Sequence, residues 1–238
     1  MIYDHHTHTT FSHGKGSIED NVKVAVEKGL KSIAITDHGP GHLTYGIDRE
    51  KIKTMRTEIE RLKLVYPQIE ILLGVEANTI RVAPYIDLTE EDKKELDIVL
   101  AGYHFGILKA GMVPNYINSH TGLFGGESSS LRVANTAMIL NSLYENNIAI
   151  LTHPGDKGPF DIEDIAKACA DTGTMIEINA KHKHLTIEEI QIAAKYDVKF
   201  VIGSDAHVSS KVGSFEEPLI RALQAGLDPE RIVNIERI

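Results

Sequence analysis

The chain has no tryptophan and one cysteine, Cys169, among 238 residues. A single thiol cannot form an intrachain disulfide, so a reducing, cytoplasmic setting is expected. Cys169 sits in a helical apolar pattern with Ile165, Ala166 and Ala170, where it reads as a small buried hydrophobe. No apolar run reaches the roughly 18 residues that a membrane span needs. The first residues show neither a basic n-region nor the apolar h-region of a signal peptide. Positive charge is scarce as well: 25 Lys and Arg stand against 34 Asp and Glu, a formal charge of −9. That argues against an extended nucleic-acid surface, which needs clustered basic residues. A short anionic ligand stays open, because bound cations reverse the local sign. Linker-like and low-complexity stretches are also missing, so one domain over residues 1–238 is expected; no pattern specifies an oligomer. The 42% apolar and 25% charged residues are ordinary for a globular protein.

What the chain has in excess is histidine, twelve in all. Three fall in Asp4-His5-His6-Thr7-His8, on what reads as a short first strand. Alternation along a strand would put Asp4, His6 and His8 on one face, two imidazoles able to grip a cation and a carboxylate able to fix a ring tautomer. The same alternation would turn His5 away, into packing or to the surface.

Behind this stretch, strand, turn and helix repeat. Apolar strands are predicted at residues 32–36, 69–75, 96–101, 148–152, 174–178 and 199–202. Helix starts are marked at Ser17 with Asp20, at Asp48, at Thr89, in the 128–130 serine run, at Asp161, and at Thr186 with Glu189. Ile52, Met55, Ile59 and Leu62 form one helical stripe. A last helix is expected over about 216–225. Near-continuous apolar strands alternating with helices predict a parallel sheet. Seven such units favour an α/β fold, a distorted, TIM-like (βα) barrel. Residues 105–128 show no period and are expected to form a functional loop or lid.

Metal-competent residues follow the strands: His6 and His8, His38, Glu76, His104, His153, then Asp205 and His207, with His13 in the first loop. Active sites of α/β barrels lie at this end. So many imidazoles gathered without a cation would leave ring nitrogens unpaired or force like charges together. Nine ligands exceed what one zinc uses, which implies two or three ions, and mixed His and carboxylate donors suit Zn, Mn or Fe.

The stretches Asp4-His5-His6-Thr7-His8, Ile35-Thr36-Asp37-His38, Gly74-Val75-Glu76, Gly102-Tyr103-His104, Thr152-His153-Pro154-Gly155 and Gly203-Ser204-Asp205-Ala206-His207 resemble the motifs of the PHP (polymerase and histidinol phosphatase) family. The resemblance runs from residue 4 to about residue 215. It implies a distorted seven-stranded barrel with a site for three divalent metals. His6, His8, Glu76 and Asp205 would hold the first; Glu76 would bridge to a second held by His104 and His153; His13, His38 and His207 would hold the third. It implies hydrolysis of phosphate esters, most simply small phosphomonoesters with histidinol phosphate a candidate, through a hydroxide between two metals. Glu76 and Asp205 would be the catalytic carboxylates, Asp205 also able to protonate the leaving alkoxide. Two alternatives remain: a 5′–3′ exonuclease on short oligonucleotides, and a non-catalytic interaction module. The family's members usually have an apolar residue where this chain has His5. Those acting on phosphate esters often place an arginine after the sixth strand, where this chain has Lys181-His182-Lys183-His184. Lys181, His182 and Lys211 are therefore the candidate contacts to a substrate anion. His42 and His120, in the two long loops, read as solvated.

Overall fold

The computed structural model describes residues 1–121 and 129–236. In chain order the elements are β1 (Tyr3–Asp4), α1 (Ile18–Glu27), β2 (Ser32–Ile35), α2 (Arg49–Val65), β3 (Glu70–Asn78), α3 (Glu90–Lys93), β4 (Ile98–Gly102), α4 (Met112–Thr121), α5 (Ser130–Glu145), β5 (Ile150–Leu151), α6 (Ile162–Thr172), β6 (Met175–Asn179), α7 (Ile187–Ala193), β7 (Phe200–Gly203) and α8 (Glu216–Gln224). All seven strands pair in parallel, in the order β1 to β7.

The local signals act as their chemistry requires. Ser17 and Asp20 close a reciprocal capping box at α1, and Thr89 and Thr186 do the same at α3 and α7. Asp48 caps α2, whose buried stripe is Ile52, Met55, Ile59 and Leu62. Gly173, at φ 75°, ends α6 in the left-handed region that a side chain disfavours. Every residue of β2 and of β7 is buried, as expected for parallel strands covered on both faces. Among the described residues, no helix is long and apolar enough to cross a membrane.

The barrel is nearly closed. Thr7 forms a parallel bridge with Ala206, and His8 N–H donates to the Ala206 carbonyl at 2.9 Å. At the opposite end of this seam the buried Asn234 side chain donates to the carbonyls of Tyr3 (2.9 Å) and Ile202 (2.8 Å) and accepts from Ile202 N–H (2.9 Å).

Three expectations are corrected. Residues 105–128 are not a plain loop: a 3-10 turn at Leu108–Ala110 leads into α4, while residues 122–128 lie outside the described residues. The helix escapes periodicity because its inward anchor is polar. Asn115 is fully buried and pairs reciprocally with Asn135 (3.1 and 2.7 Å), leaving Val113, Tyr116 and Ile117 exposed. Pro114 is tolerated because first-turn N–H groups have no helical partner. Second, β1 is two residues long, so alternation does not reach residues 6 and 8. Asp4 accepts backbone N–H groups of Gly213 (2.7 Å) and Ser204 (3.2 Å) instead of an imidazole. Third, Glu76 lies within β3 rather than after it.

Candidate active site

Each strand sends polar side chains to the same end of the barrel, and Glu76 is the point where they meet. It is fully buried. Its Oε1 lies 2.9 Å from His153 Nε2, 3.2 Å from His104 Nε2 and 3.3 Å from His6 Nε2. Its Oε2 lies 3.0 Å from His38 Nδ1 and 3.5 Å from His8 Nε2. The Thr152 hydroxyl donates to Oε1 at 2.7 Å and orients the carboxylate. Gly102 makes room for that bond, since a Cβ there would overlap the Thr152 oxygen. Asp205 forms a second focus: Oδ1 is 3.1 Å from His8 Nε2 and 3.2 Å from His207 Nδ1, and Oδ2 is 3.2 Å from His182 Nε2. Two of these residues sit at positive φ, His153 at 27° and Asp205 at 48°, a conformation that non-glycine residues adopt at a cost and that clusters at functional sites.

Many of these contacts are not hydrogen bonds. His8 Nδ1, His13 Nδ1, His38 Nδ1, His104 Nε2 and Glu76 Oε2 are buried with no hydrogen-bond partner. Buried nitrogen and oxygen atoms left unpaired in this way fit a cation, and imidazole with carboxylate is a donor set for Zn, Mn or Fe. Four overlapping sets have ligand atoms within 4.8 Å of one another: His8, His38 and His207; His6, His153 and Asp205; His6, His8 and Glu76; His38, Glu76 and His104. Protonation is compatible at four of the histidines and at both carboxylates; His6 is the exception, held well above its ordinary value by Glu177, Glu76 and Asp205 against the effect of burial. Burial, reinforced by neighbouring imidazoles, holds His8 well below its ordinary value and lowers His38. Burial lowers His104, and His13 is pushed down to about 3 by burial and by His207 and His38. Burial alone would raise Glu76 and Asp205, but the surrounding histidines keep both well below the carboxylate range. Neutral imidazoles and ionised carboxylates are the forms that bind metal.

Several supporting residues escape a reading of the sequence. Glu177 of β6 accepts from His6 Nδ1 at 2.6 Å, and Asn78 Oδ1 from His104 Nδ1 at 2.9 Å. Each leaves the other ring nitrogen free for the cluster. The signal for Glu177 is a lone acid inside the apolar strand Met175–Asn179. His42 and Tyr45, from the 39–46 loop, lie over the site: Tyr45 stacks on His13 at 4.3 Å, and His42 lies 5.6 Å from His38. His42 therefore belongs to the site rather than to solvent. His120, exposed on α4, lies tilted against Tyr116, and His5 stacks on Tyr3 at 4.1 Å and bonds Ser32 Oγ.

His13, His38, His42, Tyr45, Glu76, His104, Phe105, His153, Lys157, Lys181, His182, Asp205 and His207 line one cavity of about 320 Å³. Lys181 Nζ is 3.7 Å from Asp205 Oδ2. His182 also contacts Asp156 at 3.0 Å, and these acids push it up to about 9 against the effect of burial. Lys157, beside Asp156, is a further cation on this wall. Lys211 stands apart from it, lining a neighbouring cavity of about 470 Å³ that shares Lys181, Asp205 and His207. His13 is in ring contact with His207 and His38 but outside the four converging sets, so the geometry groups His38 with Glu76 and His104 as readily as with His207.

Comparison with known proteins follows the same lines. The chain is 33% identical over 251 residues to a probable phosphatase of Thermoanaerobacter sp. (strain X514), covering 99% of this chain and 91% of that one. It is 31% identical over 249 residues to a probable phosphatase of Shewanella frigidimarina (strain NCIMB 400), covering 98% and 89%. Among solved structures, a candidate histidinol phosphatase from Listeria monocytogenes superposes with a TM-score of 0.63 at 16% identity, over 90% of this chain and 98% of that one. Histidinol phosphate phosphatase from Lactococcus lactis subsp. lactis Il1403, complexed with zinc, L-histidinol and phosphate, superposes with a TM-score of 0.53 at 14% identity, over 95% and 94%. At these identities the structural likeness is one of fold. The PHP domain profile matches residues 4–228, and with seven parallel strands carrying this histidine-rich end, the chain belongs to the PHP domain family.

Proposed function

We propose that the chain is a metal-dependent hydrolase of phosphate esters that acts on small phosphomonoesters, with histidinol phosphate a candidate substrate. The observation that carries this reading is the convergence of seven imidazoles and two carboxylates at one end of the barrel, around a cavity of about 320 Å³. His6, His8, His13, His38, Glu76, His104, His153, Asp205 and His207 would hold up to three divalent ions, Zn, Mn or Fe. Such ions, when bound, neutralise phosphoryl charge and lower the pKa of coordinated water. The relatives' names as probable phosphatases, and the zinc, phosphate and histidinol in the Lactococcus structure, support the class.

The chain's own residues supply the rest. Thr152 and Gly102 fix Glu76 so that both its oxygens face imidazole nitrogens. Lys157, Lys181 and His182 present cationic groups to the cavity, where a phosphate would find point charges in place of an arginine fork. Asp205 Oδ2 and His182 Nε2 lie 3.2 Å apart, and between them they would hold the proton that a leaving alkoxide needs. Tyr45, His42 and Phe105 wall the cavity, restricting entry to small groups and limiting water around the reacting atoms.

The test is a substrate panel with Zn- or Mn-loaded protein: histidinol phosphate, sugar phosphates, mononucleotides, and 5′-phosphorylated di- to pentanucleotides. Phosphate release from small esters, with kcat/KM well above that for oligonucleotides, is the expected result. Stepwise release of mononucleotides, with the small esters inert, would replace this reading with an exonuclease.

A further inference from the structure

We infer that Glu177 is a positioning residue that fixes the tautomer of His6 and thereby decides whether that imidazole can hold a metal ion; this rests on placing His6 in the metal cluster. Glu177 is fully buried on β6, the one strand that brings no candidate ligand. Its Oε1 accepts from His6 Nδ1 at 2.6 Å. Its Oε2 accepts from the backbone N–H of His153 at 2.9 Å and from Asn179 Nδ2 at 2.8 Å. The orientation of the Asn179 amide is itself determined, because Asn179 Oδ1 accepts the N–H groups of Lys181 and His182, each at 2.8 Å.

To reach His6, the carboxylate crosses β7 at Gly203. A Cβ at that position would overlap Glu177 Oε1 and come within 3.1 Å of His6 Cβ. An ionised carboxylate only accepts hydrogen bonds, so His6 Nδ1 carries the hydrogen. In the neutral ring the lone pair then lies on Nε2, the atom facing His8 Nε2 (3.2 Å), Glu76 Oε1 (3.3 Å) and Asp205 Oδ1 (3.8 Å). His104, by contrast, has a neutral acceptor on Nδ1, the Asn78 side chain. The charged partner makes His6 the more basic donor.

The same bonds dictate what an isosteric amide would do. In Glu177→Gln the amide oxygen must take the place of Oε2, because two fixed donors point there. The NH2 group is then forced toward His6 Nδ1 and donates to it. That reverses the tautomer and places a hydrogen on Nε2, where the metal would bind. Glu177→Asp keeps an acceptor of full charge, though on a shorter arm. The two variants therefore separate positioning from packing. If Glu177 merely fills space, Gln, with the same shape, is the milder change. If it sets the tautomer, Asp is milder.

The experiment measures Zn(II) affinity by competition with a chromophoric chelator for wild type, Glu177→Gln and Glu177→Asp, with far-UV circular dichroism of each metal-free protein. A 15N spectrum of Zn-loaded wild type reports the protonated nitrogen of His6 without any substitution. The expected result is a loss of about 10- to 100-fold in affinity for at least one Zn(II) in Glu177→Gln, a smaller loss in Glu177→Asp, and a protonated Nδ1 on His6. Wild-type affinity in Glu177→Gln, a larger loss in Glu177→Asp than in Glu177→Gln, or an unprotonated Nδ1 would each overturn the inference while leaving the metal cluster standing. Failure of wild type to take up Zn(II) would overturn the cluster assignment, and the inference with it.

Discussion

Arg221 ties the scaffold to the site, and its replacement tests how firmly. The side chain rises from α8 and is 7% exposed. One guanidinium nitrogen donates to the carbonyls of His182 (3.2 Å), Lys183 (2.6 Å) and Leu185 (3.0 Å). The other donates to the Asn179 carbonyl (2.5 Å) and to Glu217 (2.8 Å). These carbonyls belong to the turn that carries Lys181 and His182 into the cavity. Arg221→Lys keeps the charge but offers one nitrogen in place of a planar fork, so at least two of the five bonds are lost. At about 1.5–3 kcal/mol for each bond to a charged group, the cost is about 3–6 kcal/mol. For a chain of this size that corresponds to a drop of roughly 6–24 °C in Tm. Calorimetry at fixed metal concentration measures it, and steady-state kinetics on a small phosphomonoester should show a raised KM with metal content retained. A Tm within about 2 °C of wild type would refute the argument, since it would mean that the turn does not depend on these bonds.

Glu76→Ala should abolish phosphatase turnover while circular dichroism stays native, and Glu76→Gln should do nearly the same; near-native rates in either variant with metals bound would remove Glu76 from its bridging role. Chelation should lower Tm and activity together, with Zn or Mn restoring both. Elemental analysis of protein purified without chelator should give three ions per chain; fewer than two, with no rise on adding Zn or Mn, would sink the multinuclear reading. His5→Leu should be close to neutral at pH 7 but should change the acid limb of stability. Burial pushes His5 down to about 4, so the unfolded chain takes up this proton first. Wild type should therefore lose stability as pH falls from about 6.5 to about 4, by at most about 3 kcal/mol from this residue. Equal urea midpoint shifts in wild type and His5→Leu between pH 7 and pH 4.5 would contradict that account.

The candidate ligands were legible because barrel chemistry is delivered by strand ends, and strand ends are local signals. His38, His104, His153 and the Asp205–His207 pair each follow an apolar run that needs no partner to be recognised. The helix caps were legible for the same reason. What could not be read depends on contacts between distant segments. Glu177 looks like a stray acid until His6, 171 positions away, is brought against it. Arg221 looks like a surface cation on an amphipathic helix until the turn after β6 wraps around it. Helix α4 was missed because its buried side is an asparagine pair, invisible to hydrophobic periodicity. Asp4 was misassigned because alternation was extended beyond a strand that ends after two residues.

The seam between β1 and β7 has a consequence for how the chain folds. Asp4 is bound by Ser204 N–H, 200 residues away, and by Gly213 N–H, 209 residues away. Contacts of such separation close long loops, and that entropy must be lost before they return anything. Both sides of the candidate metal cluster, His6 and His8 on one and Asp205 and His207 on the other, straddle this seam. An ion held across it would act as a clasp, slowing reopening of the barrel far more than it speeds closure. Metal-free chains should then exchange the amide hydrogens of residues 2–8 and 202–207 by local opening, ahead of those in β3 and β4.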